Sequence, residues 1–156
     1  MQEAEKTSIY NAVSKEIAAV IDGETNLVAR MATVSNLLHH AFEHFIWTGF
    51  YLVDSSKADE LVVGPYQGQL GCLRIPFGKG VCGVAAADRE TQVVDDVHAF
   101  PGHITCDAAA ESEIVVPVFD QKGALIAVLD IDSGSPAMFD VVDKNALEDL
   151  VRDCFA

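Results

Sequence analysis

The sequence predicts an α+β fold: a central antiparallel β-sheet with the N- and C-terminal helices on one face and long crossing loops over the other. Three observations predict it. Apolar residues recur at helical spacing near both ends, and the middle of the chain switches to strict alternation. The order helix, helix, strand, strand, then strand, strand, helix also lacks the regular strand–helix alternation of a parallel sheet. With 156 residues, half of them hydrophobic, and a mean hydropathy of +0.23, the chain can bury one core and is read as a single domain over residues 1–156.

Ile9, Val13, Ile17 and Val20/Ile21 mark a first helix, with Asp22-Gly23 as its stop. Leu27/Val28, Met31, Val34, Leu38, Ala41/Phe42 and Phe45 extend a second stripe over nearly twenty residues. From Ile46 the period becomes two, so that Ile46, Thr48, Phe50 and Leu52 share one face and Trp47, Gly49, Tyr51 and Val53 the other. ELVVGPY pairs with this strand across the polar turn DSSKADE, and CLRIPF follows it. GKGVCGVAAADRE reads as a glycine-rich loop leading into a short Ala-rich helix, and TQVVDDV as a short strand. HAFPGHITC reads as a loop and DAAAESE as one helical turn. EIVVPVF and GALIAVLDID form a hairpin through DQKG. A last helix runs through Val142, Ala146, Leu150 and Val151, with Asp140 as its N-cap.

A net charge of −14 leaves no basic stripe for phosphates and argues against nucleic-acid or anionic-membrane partners. No apolar run reaches about 18 residues, the length needed to span a bilayer, and the polar start MQEAEKTSIY does not read as a secretory signal. Four cysteines in such a chain are expected as thiols in a reducing cytoplasm, not as a disulfide framework.

Three cysteines, Cys72, Cys82 and Cys106, fall in the loop-rich stretch that leads into SEIVVPVF. Nine residues separate the first pair and twenty-three the second, unlike the close cysteine pairs of structural zinc sites, so no metal is expected. His98, His103 and Cys106 form a weaker metal-binding alternative. A nucleophile with a resolving thiol fits the pattern better, because one thiolate attacks and a second thiol captures the oxidised product. A helix start after HITC would favour the thiolate of Cys106, with His103 nearby to assist. Cys154 reads as a packing residue.

On the last strand, Ile126, Val128, Asp130 and Asp132 point one way and Ala127, Leu129 and Ile131 the other. The two aspartates are either the end of a strand emerging into solvent or an acidic pocket that Glu113 joins across the hairpin. Trp47 and Tyr51 share a face with Gly49 between them; they are either core aromatics or the walls of a recess suited to an apolar or sulfur-bearing group. Gly78, Gly80 and Gly83 match neither phosphate-binding glycine spacing and read as a mobile active-site loop.

Taken together, WTGFYLVD, VGPYQGQLGCLRIPFGKGVCG, HITCDAAAESEIVVPVF and LIAVLDIDS closely resemble free methionine-(R)-sulfoxide reductase, a family built on the GAF fold. The resemblance covers nearly the whole chain and implies an enzyme that reduces free L-methionine (R)-sulfoxide. It assigns Cys106 as the nucleophile that becomes a sulfenic acid and Cys72 as the resolving thiol. Their disulfide would be reduced by thioredoxin, with no bound cofactor. Cys82 matches a third cysteine of less settled role, an alternative partner. Trp47 and Tyr51 match residues holding the methyl end of the substrate, and Glu113, Asp130 and Asp132 match the acidic group of its pocket. Ala127 stands where the family usually carries glycine. GAF domains often pair through their terminal helices, so a homodimer is compatible with the resemblance. The rival reading is a non-catalytic GAF sensor of a small ligand, against which stand the cysteine set and a free-standing domain with no output module.

Overall fold

The structure of the protein, a computed structural model, describes residues 1–106 and 108–156. Helices α1 (Glu3–Ile21) and α2 (Leu27–Ala41) precede strands β1 (Phe45–Val53), β2 (Glu60–Gly68) and β3 (Arg74–Pro76). Helix α3 (Gly80–Asp88), strand β4 (Gln92–Val94), a 3-10 turn (Val97–Ala99), the hairpin β5 (Ser112–Phe119) and β6 (Leu125–Ser133), and helix α4 (Val141–Phe155) complete the chain. The six strands make one antiparallel sheet in the order β3-β2-β1-β6-β5-β4, the α+β arrangement expected. Among the described residues no helix is long and apolar enough to cross a membrane.

The alternation of side chains divides the interior into two cores. Ala127, Leu129 and Ile131 of β6 meet Ile17, Leu38 and Leu147 beneath α1, α2 and α4. On the opposite face, Val115 and Val128 pack with Trp47, Tyr51, Val81 and Ala85. Loops were expected over that face, but α3 also lies on it, against β5 and β6. Gly80 and Gly83 belong to the first turn of α3, so of the three glycines read as a mobile loop only Gly78 lies outside the helix.

Elsewhere the differences are shifts of up to about four residues at the ends of elements. Leu27 and Val28 are exposed and the buried stripe of α2 begins at Met31; the helix ends at Ala41, and Phe45 belongs to β1. Phe45, not Ile46, enters the helix-side core, because the register slips between Phe45 and Trp47. A second slip at Val118/Phe119 turns Ile126 to the helix side and Leu125 to the other. Asp140 caps α4 as expected, accepting from the backbone N–H of Val142 at 2.9 Å.

One buried network was not legible in the sequence. Lys6 stands at the head of the α1 stripe that continues through Tyr10, Val13 and Ile17. Its Nζ donates to Asp143 Oδ2 at 2.6 Å and to the Met138 carbonyl at 2.8 Å, while Tyr10 Oη donates to Asp143 Oδ1 at 2.6 Å. The two ends of the chain are thereby tied by a paired buried charge, the form in which such charges are tolerated. Burial, together with the Asp143 charge, pushes the Tyr10 phenol well above its ordinary range.

Candidate active site

The β5–β6 hairpin assembles the acidic group. Its register sets Glu113 opposite Asp132, with Asp130 one pleat further on, between Val115 of β5 and Gly49 of β1. All three carboxyls are buried, at 6%, 5% and 8% exposure for Glu113, Asp130 and Asp132. The solvated-strand alternative is therefore excluded. The first turn of α3 brings Cys82 over them, its thiol donating to Glu113 Oε1 at 4.0 Å.

Crowding acids away from water favours their neutral forms. Burial, then the charges of Asp130 and Asp132, hold the Glu113 carboxyl well above the usual carboxyl range. Burial raises Asp130 to about 6, partly offset by hydrogen bonds from Glu113 and Cys82. Burial and the neighbouring carboxyls likewise push the Cys82 thiol up, which keeps it a thiol. Asp130 Oδ1 is buried with no hydrogen-bond partner among the described residues, so one acceptor is left facing the site.

Above this floor, Cys72 and Cys106 form a disulfide with their Cα atoms 5.2 Å apart. It joins the segment between β2 and β3 to the loop that enters β5. Both cysteines are half-buried. This is the pair the resemblance implies, and the reading of all four cysteines as thiols holds only for Cys82 and Cys154. Cys106 lines a cavity together with Cys82, Glu113, Asp130, Asp132, His103 and Lys79. The cavity holds about 30 Å³ of free space, room for a water or two and too little for an amino acid. No helix begins after Cys106: residues 108–109 form a turn, and Asp107 lies outside the described residues. His103 is at the cavity as expected, with Nδ1 buried and unpartnered, and burial lowers its pKa, so the ring is neutral near pH 7.

Trp47 and Tyr51 do share a face, stacked at 5.5 Å between ring centroids, but the recess over Gly49 is filled. Tyr66 of β2 occupies it: a Cβ on Gly49 would fall 2.2 Å from the Tyr66 Cβ, and the Tyr66 ring stacks on Trp47 at 4.9 Å. Gly71 closes over both rings, since a Cβ there would stand 2.9 Å from Trp47 Cζ2 and 3.1 Å from Tyr51 Oη. Trp47 Nε1 donates to the Gln69 carbonyl at 3.0 Å. The rings thus lie under the segment that carries Cys72 and are not part of the cavity wall. Tyr66 and Lys79 were missed in the sequence. Strand pairing across Gly49 is the signal that could have found Tyr66; Lys79 was hidden in a loop reading of FGKG.

The donor atoms of Cys82, Glu113 and Asp130 lie within 4.8 Å of one another, close enough to hold a cation. A metal there would have to displace protons that burial holds in place. The His98, His103 and Cys106 set does not form a metal site in this state, because the Cys106 sulfur is in the disulfide.

Residues 29–154 match the GAF domain family. The chain is 44% identical to the free methionine-R-sulfoxide reductase of Saccharomyces cerevisiae over 135 residues, covering 84% of this chain and 75% of that one. The chain belongs to the free methionine-R-sulfoxide reductase family of GAF domains. The family's enzyme from Escherichia coli is 44% identical over 146 residues, covering 94% of this chain and 86% of that one. Free methionine-R-sulfoxide reductase from Neisseria meningitidis, solved in complex with its substrate, superposes with a TM-score of 0.89 at 48% identity, over 94% of this chain and 86% of that chain.

For this family member the buried acids give a first testable consequence. Asp130 and Glu113 bind protons more tightly folded than unfolded, so their contribution to stability is complete below pH 4 and is lost as the pH rises through their folded values. From 3.8 to about 6, Asp130 alone accounts for ~3 kcal/mol, and the loss continues upward through Glu113. Thermal unfolding of Asp130→Asn should therefore fall less steeply between pH 4 and pH 7 than that of the wild type. Parallel curves would contradict this assignment.

Proposed function

We propose that the chain reduces free methionine (R)-sulfoxide to methionine with its own thiols. The observation that carries this reading is the Cys72–Cys106 bridge on the rim of a cavity floored by Glu113, Asp130 and Asp132. On this reading the whole of residues 1–156 acts as one GAF domain. Reduction of the bridge frees the Gln69–Leu73 segment, which uncovers Trp47 and Tyr51 for the methyl end of the substrate and enlarges the cavity. The substrate ammonium sits against Asp130 and Asp132, with Asp130 Oδ1 as an acceptor. Lys79 supplies the positive charge for its carboxylate.

The Cys106 thiolate attacks the sulfoxide sulfur, and Glu113, held protonated by burial, donates to the oxygen as the S–O bond breaks. The released hydroxide then adds to the Cys106 sulfur as its new bond to the substrate sulfur breaks, which leaves a sulfenic acid on Cys106 and frees methionine with the electron pair of that bond. Cys72 then attacks the Cys106 sulfur, forming the disulfide and expelling water, and thioredoxin returns both cysteines to thiols. Cys82, held as a thiol in the same cavity, is a second-choice partner for Cys106. No bound cofactor takes part.

Titrating thiols of the reduced protein before and after one equivalent of free sulfoxide tests this directly. Reduction consumes two thiols; a sensor that merely binds its ligand consumes none. A site that reads ammonium and carboxylate together also rejects a residue within a polypeptide. N-acetylmethionine sulfoxide should accordingly lose about two orders of magnitude or more in kcat/KM, as expected when a buried charge is left unpaired. Comparable turnover of free and acetylated substrate would refute the ammonium role.

A further inference from the structure

We propose that Leu70 and Leu73 are the docking surface for the dithiol protein that re-reduces the Cys72–Cys106 bridge, and that this protein's thiolate attacks Cys72. The inference rests on the reductase reading above and names a surface of the same site.

Leu70 and Leu73 are 77% and 71% exposed, the most exposed large apolar side chains among the described residues. They stand two residues before and one residue after Cys72 in the run QLGCLR. Their backbone is anchored on both sides: the Gln69 carbonyl accepts from Trp47 Nε1 at 3.0 Å, and the Leu73 carbonyl accepts from the Val63 N–H at 2.9 Å. Two leucines pinned outward beside a half-buried disulfide leave apolar area in water, which a partner would cover. Charge agrees with a protein partner here. In a chain of net charge −14, no charged residue occurs from Gly64 to Leu73, and the adjacent Arg74 is paired with Asp54 and Glu60. An incoming thiolate on an acidic protein therefore meets no local repulsion at Cys72. At Cys106 it would approach the carboxyls of the cavity.

The exchange balances. The partner's thiolate attacks Cys72 Sγ and forms a mixed disulfide as the Cys106 sulfur leaves with the electron pair of the broken bond. The partner's second thiolate attacks its own first sulfur and releases Cys72 as a thiolate. Two protons from solvent complete two thiols on this chain, and the partner carries the disulfide. Attack at Cys72 delivers the Cys106 thiolate where the next sulfoxide requires it.

The test follows reduction of the preformed bridge, without sulfoxide, by reduced thioredoxin and by dithiothreitol, in the wild type and in Leu70→Ser/Leu73→Ser. Thioredoxin should react at least about tenfold more slowly with the variant, while dithiothreitol reduces both alike. Thioredoxin lacking its second cysteine should be trapped on Cys72. Equal thioredoxin rates or an adduct on Cys106 would each overturn the proposal. So would a wild-type dimer that the double variant abolishes, since the leucines would then cover a second copy of the chain. Failure of the reduced wild type to release methionine would instead sink the reductase reading, which the bridge-reduction rates do not measure.

Discussion

Cys106→Ser is expected to abolish sulfoxide reduction. A serine hydroxyl is a poor nucleophile without a dedicated base, and its oxygen cannot accept a second oxygen as sulfur does. Methionine release should fall to the rate without enzyme, with thioredoxin or with dithiothreitol. The variant also cannot form the bridge that spans 34 residues of sequence, so it should be less stable than the oxidised wild type by about 4 kcal/mol from loop closure. The proper comparison is the reduced wild type, whose unfolding midpoint should match that of the variant. Measurable turnover by a folded Cys106→Ser protein would mean that another group, Cys82 foremost, takes the oxygen.

Cys72→Ser has a different expected signature. The nucleophile remains, so the reduced variant should release about one methionine per chain and then stall with thioredoxin, because no disulfide forms for that protein to reduce. The burst should leave an oxidised Cys106 that a sulfenic-acid reagent labels. Dithiothreitol, a small thiol that can reach the sulfenic acid, should restore slow turnover. Undiminished cycling with thioredoxin would transfer the resolving role to Cys82, whose sulfur lies in the same cavity.

These expectations draw on parts of the chain that differ in how plainly the sequence displays them. The acidic floor was readable because strand period two places Asp130 and Asp132 on one face, and the DQKG turn pairs Glu113 across from them. Its burial was not readable, since that depends on α3 packing over the sheet face. The short segment GVCGVAAAD has no amphipathic stripe, only small residues that allow close contact on every side. Helical periodicity found part of the core faces of α1, α2 and α4, including Val13, Ile17, Val34, Leu38 and Leu150, but it counted the exposed Val20, Leu27 and Val28 and passed over the buried Tyr10 and Leu147. Trp47 and Tyr51 were placed on the right face with core packing and a recess left as alternatives, because the neighbour that decides between them, Tyr66, arrives only through the β1–β2 register. Lys6 lies in the polar start of the chain. Its partner Asp143 lies at the far end of the chain, and no local pattern reports such a pairing.

The pairing of Cys72 with Cys106 came from family resemblance and not from spacing, since three cysteines in one loop-rich stretch permit several bridges. Their bond, the exposed leucines beside Cys72 and the closed cavity beneath Cys106 fit a site that opens when reduced and shuts when oxidised.

Peptide mapping by mass spectrometry, on fully reduced protein given one equivalent of free methionine (R)-sulfoxide, tests the proposed chemistry most directly. One methionine should appear per chain, together with a peptide pair joined through Cys72 and Cys106 and with Cys82 still a thiol. Methionine released while Cys106 remains a free thiol, or a bridge that omits it, would contradict oxygen transfer to that sulfur.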